Sequence, residues 1–206
     1  MQKTQNTRTV AFLSIVLATI LIPSAMKVAA VPWSASETGL ATFSGYGEGI
    51  SYGFKDNGQI EGYKTWSAKV SGGWSNWGQV IVTLTSDPIT SDNWAGIYSV
   101  DFNTYFDGVI SVGTQNLNVW LEITYKLKRG TSTIFTTTQT YDDTQSWQGD
   151  TETKTVSSSL SANTDYYVYV QYRYYTGIAF PWANAIDFWE HDTQYHQWQG
   201  WTLSHS

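Results

Sequence analysis

The sequence predicts an all-β protein: a single antiparallel β-sandwich or jelly-roll domain following an N-terminal signal peptide. Three observations carry this. After residue 30 no stretch keeps apolar residues at helical spacing for three turns, whereas alternation with a period of two recurs in β-branched and aromatic residues. Clusters of Gly, Pro, Asn, Asp and Ser cut that alternation into about ten short runs, the spacing of sandwich strands. The composition, 41% hydrophobic and 16% aromatic with 14% charged residues, suits a folded core and excludes a disordered chain.

The amino terminus comes first. Residues 1–9 are polar and carry Lys3 and Arg8, and Val10–Ile22 is an uncharged apolar run ended by Pro23. The order basic, apolar, small is that of a secretory signal, and Val28 and Ala30 place the expected cut after Ala30. The run is shorter than the ~20 residues of a membrane-spanning helix. Residues 1–30 are therefore read as the signal and 31–206 as the working domain. Removing the signal takes away Lys3, Arg8 and Lys27 and no acid, which leaves eight basic and 17 acidic residues and a formal charge of −9.

Along the domain, Val31–Tyr52 is rich in Gly and Ser. It is read as the first strands of the sandwich, with an arm that adds a strand to a neighbouring copy as the alternative. Lys55-Asp56-Asn57-Gly58 lies between two alternating runs, and Asn-Gly accepts the positive φ of a two-residue hairpin turn there. Further strands are expected at 79–85, 94–102, 108–112, 118–128, 131–140, 151–160, 166–175, 183–190 and 197–203. The breakers include Ser71-Gly72-Gly73, Ser86-Asp87-Pro88, Lys128-Arg129-Gly130 and Ser161-Ala162-Asn163. The Ser/Thr-rich stretch 131–164 still alternates and is expected to supply edge strands and loops.

Two runs can be read face by face. In 118–128, Val119, Leu121, Ile123, Tyr125 and Leu127 form one row, and Trp120, Glu122, Thr124, Lys126 and Lys128 the other. The first is the core row, because only it removes a continuous apolar strip from water. In 166–175, Tyr166, Val168, Val170, Tyr172 and Tyr174 are expected inside, and Tyr167, Tyr169, Gln171, Arg173 and Tyr175 outside. If the two outer rows share a sheet, they make a face of Trp120, Tyr167, Tyr169 and Tyr175 set among Glu122, Gln171 and Arg173. Flat rings beside planar polar groups suit sugars, since a ring covers the C–H face of a pyranose while amides and carboxylates bond its hydroxyls. The same residues also serve a plain sheet, as cross-strand aromatic pairs and as a surface ion pair.

The absence of cysteine excludes a disulfide framework, a thiol nucleophile and sulfur-ligated zinc. The negative charge argues against binding to nucleic acid, and no membrane span is expected once the signal is removed. No glycine-rich segment leads a helix, so no phosphate cradle is expected. In composition and expected architecture the chain is similar to the small jelly-roll xylanases and endoglucanases. That resemblance implies a carboxylate pair flanking a glycosidic bond, for which the candidates are Glu122, in a strong strand, and Asp187, out of phase with Ile186 and Phe188. The likeness stops at architecture, because the YYVYVQYRYY run bears no glutamate. In the tail, Glu190, His191, Asp192 and His196 are of metal-ligating type. Strand alternation sets His191 and His196 on opposite sides, so two solvated histidines and no cofactor are expected. The function read from these residues is that of an exported, non-enzymatic sandwich at the cell surface or outside the cell. Its aromatic face would meet a polysaccharide or other surface proteins. The alternatives are a self-associating filament, matrix or surface-layer subunit, and a glycoside hydrolase.

Overall fold

A computed structural model describes residues 31–113, 118–178, 183–189 and 194–206, all as strands and connections. The expected signal at 1–30 lies outside the described residues, as do the candidates Glu190, His191 and Asp192. Among the described residues no helix is long and apolar enough to cross a membrane.

Among the described residues, thirteen strands build two antiparallel sheets. The six-stranded sheet runs β2 (Leu40–Gly49), β5 (Gly78–Ser86), β11 (Asp165–Thr176), β8 (Val119–Arg129), β9 (Ser132–Tyr141), with the short β6 (Ile89–Thr90) on β11. In the seven-stranded sheet, β7 (Gly96–Ser111) pairs with β10 (Gln145–Leu160) on one side. On its other side β7 pairs with β12 (Asn184–Phe188) and β13 (His196–His205), both of which reach β4 (Tyr63–Gly72). β3 (Tyr52–Ile60) continues from β4, and β1 (Trp33–Glu37) pairs with β13.

The alternation read from the sequence places the core. Val119, Leu121, Ile123, Tyr125 and Leu127 are buried, as are Tyr166, Val168, Val170, Tyr172 and Tyr174. Facing them from the other sheet are Trp66, Val100, Phe102, Phe106, Phe188, Trp198 and Leu203. Each such side chain contributes about 1.5–3 kcal/mol on leaving water, so a one-residue slip of either strand would forfeit a whole row. Polar tips inside this core bond across the sheets: Trp66 Nε1–H donates to the Tyr174 hydroxyl at 2.9 Å, and Thr104 Oγ1 and the Tyr172 hydroxyl lie 2.9 Å apart.

Two expectations need correction. The hairpin of β3 and β4 forms, but its turn is Glu61-Gly62, both at positive φ (54° and 85°), and Ile60 pairs with Tyr63. Asn57-Gly58 instead makes a bulge, in which Asp56 Oδ1 accepts the Gly58 N–H at 2.8 Å and the Lys64 ammonium at 2.5 Å. Second, the runs at 94–102 and 108–112 are one 16-residue strand, β7. Val31–Tyr52 forms the first strands of its own sandwich, as read from the sequence, and not the alternative arm. β1 and β2 spend their backbone bonds on β13 and β5 of the same sandwich. Gly45 and Gly47 leave room there for the rings of Phe54 and Tyr52, which lie where a Cβ would be. The edge positions expected for 131–164 hold: β9 and β10 end their respective sheets.

Candidate functional site

The two outer rows meet on one sheet and in direct register. β11 pairs with β8 so that Tyr175 faces Trp120, Arg173 faces Glu122, Gln171 faces Thr124, Tyr169 faces Lys126 and Tyr167 faces Lys128. The β5 and β2 pairings extend these rows across the sheet. Gln79 and Glu48 follow Tyr175, Ile81 and Tyr46 follow Arg173, and Thr83 and Ser44 follow Gln171. This juxtaposition is a consequence of period-two alternation in strands that each bury their other row.

At one end of the face the Trp120 and Tyr175 rings stack, with centroids 5.0 Å apart and 22° between planes. The Arg173 guanidinium lies over the Trp120 ring at 5.0 Å and within 3.8 Å of a Glu122 carboxylate oxygen, and its Nη2–H donates to Gln79 Oε1 at 3.2 Å. Indole, guanidinium, carboxylate and amide are thus held together on a rigid sheet before any ligand arrives. Glu122 and Arg173 keep about a third of their side-chain surface in water (32% and 36%), as an outer row requires. At the other end the Lys126 ammonium lies 5.4 Å from the Tyr169 ring and that of Lys128 5.7 Å from Tyr167. The Tyr167 hydroxyl donates to the Gly130 carbonyl. Beside these rings is a shallow hollow of about 340 Å³, lined by Ala41, Thr85, Ser86, Pro88, Lys128, Tyr167 and Tyr169.

Sequence reasoning missed the half of the face that β2 and β5 supply. Tyr46, 51% exposed, is the most open aromatic on it, and Ile81 is an outward apolar residue reduced to 9% exposure between Tyr46 and Arg173. The alternation of 79–85 was visible in the sequence, but nothing local signals which strand is its neighbour.

The carboxylate pair of a glycosidase does not assemble from Glu122 and Asp187. Glu122 stands on the outer face of the six-stranded sheet. Asp187 stands on the outer face of the other, where its Oδ1 accepts the Trp189 N–H at 2.9 Å, and the core lies between them. His196, expected in solvent, is fully buried. The rings of Phe188, Phe106, Tyr174, Trp66 and Tyr172 surround it at 3.9–6.0 Å, and neither ring nitrogen has a hydrogen-bond partner. Burial holds its pKa well below the usual histidine range, so it is a neutral core side chain. Among the described residues no cluster of three or more His, Asp or Glu side chains gathers to hold a metal ion. The outer face of the seven-stranded sheet carries a smaller polar group, in which Tyr105 stacks on Tyr195 at 5.4 Å. Burial and the neighbouring Asp150 raise the pKa of Asp107 in that group.

Compared with known proteins, the chain matches no family model and no curated protein. Solved structures that resemble it include the C-terminal CBM6 module of LamC, a marine laminarinase from Zobellia galactanivorans (10% identity, TM-score 0.36, covering 85% of this chain and all of that one). A family 11 carbohydrate-binding module from Clostridium thermocellum, in complex with a mixed-linked tetrasaccharide, has 12% identity and a TM-score of 0.28, covering 82% and 96%. The isomalto-dextranase of Arthrobacter globiformis T6 has 12% identity and a TM-score of 0.35, and the match spans 84% of this chain but 23% of that enzyme. These neighbours are sandwich carbohydrate-binding modules and a carbohydrase; likeness this slight says nothing of ligand or site.

Proposed function

We propose that the chain is an exported, non-enzymatic protein, working outside the cell or at its surface, whose six-stranded sheet binds a glycan on its outer face. The observation that carries the reading is the register of β8 against β11, which sets Trp120, Tyr175, Arg173, Glu122 and Gln79 in one contiguous patch. Aromatic rings in such a patch cover the apolar face of a sugar, and the ring, guanidinium and carboxylate are already ordered by one another, so little rotamer freedom is lost on binding. The polar groups beside them, two charged and one amide, offer both donors and acceptors to hydroxyls. Binding rather than hydrolysis is favoured because Glu122 has no second carboxylate opposite it across β11 or β9. Its cross-strand neighbours are Arg173 and Thr140.

The test is tryptophan fluorescence of the domain titrated with a panel of soluble polysaccharides. A saturable shift is expected with at least one polymer, and Trp120→Ala should abolish it while the thermal melt changes little. No shift across a broad panel, or an undiminished shift in Trp120→Ala, would refute the reading.

A further inference from the structure

The charges on this face are unevenly placed for a domain of formal charge −9. Of its eight basic residues, Lys126, Lys128, Arg129 and Arg173 all belong to β8 and β11. Arg173 is offset by Glu122 at 3.8 Å. No carboxylate of the described residues bridges Lys126 or Lys128, and Arg129 has only the Ser161 hydroxyl, at 3.4 Å. Asp87, the nearest acid in sequence to the hollow-lining Pro88, has its carboxylate against Gly39. The two ammoniums stand over the tyrosines that wall the hollow. Its volume of about 340 Å³ sits at the small end of ligand sites, ~300–1,000 Å³, which is room for about one sugar residue and not for a long segment.

Resting on the glycan-binding reading, we infer that the ligand is an anionic polysaccharide, and that the hollow beside Tyr167 and Tyr169 takes a residue bearing a carboxylate or sulfate. The tyrosine rings and Pro88 would meet the sugar's C–H surface while Lys126 and Lys128 reach its acidic group. Six residues of β11 separate Tyr169 from Tyr175, roughly 20 Å at the rise of an extended strand. The same chain can therefore pass from the hollow to Trp120 across several sugar units. An anion at the hollow also gives the ammoniums the partner that the protein does not supply.

Isothermal titration of the whole domain with three polymers of galacto-configured sugars tests this: a neutral galactan, polygalacturonate and a sulfated galactan. One or both anionic polymers should bind about tenfold or more tightly than the neutral one, and that margin should shrink as salt rises. The polymer that gains tells carboxylate from sulfate. Lys126→Gln with Lys128→Gln should remove the margin, weakening the anionic polymers about tenfold more than the neutral one. Equal binding of all three polymers without salt dependence, or an unaltered margin in the double variant, overturns the anionic assignment and leaves the glycan face standing. No binding to any of the three, if other polysaccharides do bind, likewise overturns only the anionic assignment; failure across the broad panel removes both.

Discussion

His196 shows how a residue's chemistry follows from its enclosure. A solvent-facing histidine near a chain's end titrates near neutrality. This one is ringed by five aromatic side chains and has no hydrogen-bond partner, so its folded-state pKa lies well below the 6.5 of an exposed imidazole. Below about pH 6.5 the unfolded chain takes up a proton that the folded chain refuses. Its contribution to stability is therefore fully present above that pH and is lost as pH falls from there toward the lower folded value. Urea melts should show the domain losing stability between pH 7.5 and 5.5, and the loss should be smaller in His196→Phe, which also removes two unsatisfied nitrogens. Equal pH slopes for the two proteins would contradict the buried, neutral assignment. The sequence concealed this position because His, Gln and Trp in HQWQGW give no clear apolar row. Trp198 and Trp201 also face inward, on either side of a bulge that interrupts the alternation.

Among the elements, β8 was legible in full, since it carries an unbroken apolar row against a polar one. β11 was legible as a strand, but tyrosines stand on both its rows and only Gln171 and Arg173 marked the outer one, which left a one-residue slip open until the pairing. The β3–β4 hairpin was legible as a hairpin but not in its turn. Asn57-Gly58 and Glu61-Gly62 both offer a glycine for positive φ, and the choice depends on which pairing lets Trp66, Ala68 and Val70 face the core. Gly62 is the residue that closes the turn, at φ 85° with open space around it. Gly62→Ala should therefore cost about 1–2 kcal/mol from backbone conformation alone, lowering the melting temperature by roughly 2–8 °C in a domain of this size. Gly73→Ala, at a glycine that also has open space but no positive φ, should change it little. Equal effects of the two substitutions in differential scanning calorimetry would place the turn elsewhere.

At the scale of the molecule, period-two alternation gave the sandwich and the outward rows, because inside and outside are written in each strand separately. It could not give the order of strands in a sheet. β5 stands more than 80 positions from β11 in the chain, so the contributions of Gln79, Ile81 and Tyr46 became visible only with the pairing. For the same reason Glu122 and Asp187, both correctly placed as outward, fell on opposite sides of the sandwich. One outer face is aromatic and locally basic within an acidic domain, and the other is mostly hydroxyl and carboxylate. The first of these is the proposed docking face for a glycan. Amide and indole chemical-shift mapping of the labelled domain with a bound polysaccharide tests it directly. Shifts concentrated at Trp120, Arg173, Gln79, Tyr169 and Lys128 are expected; shifts confined to the opposite face, around Tyr105 and Asp187, would refute docking on the six-stranded sheet.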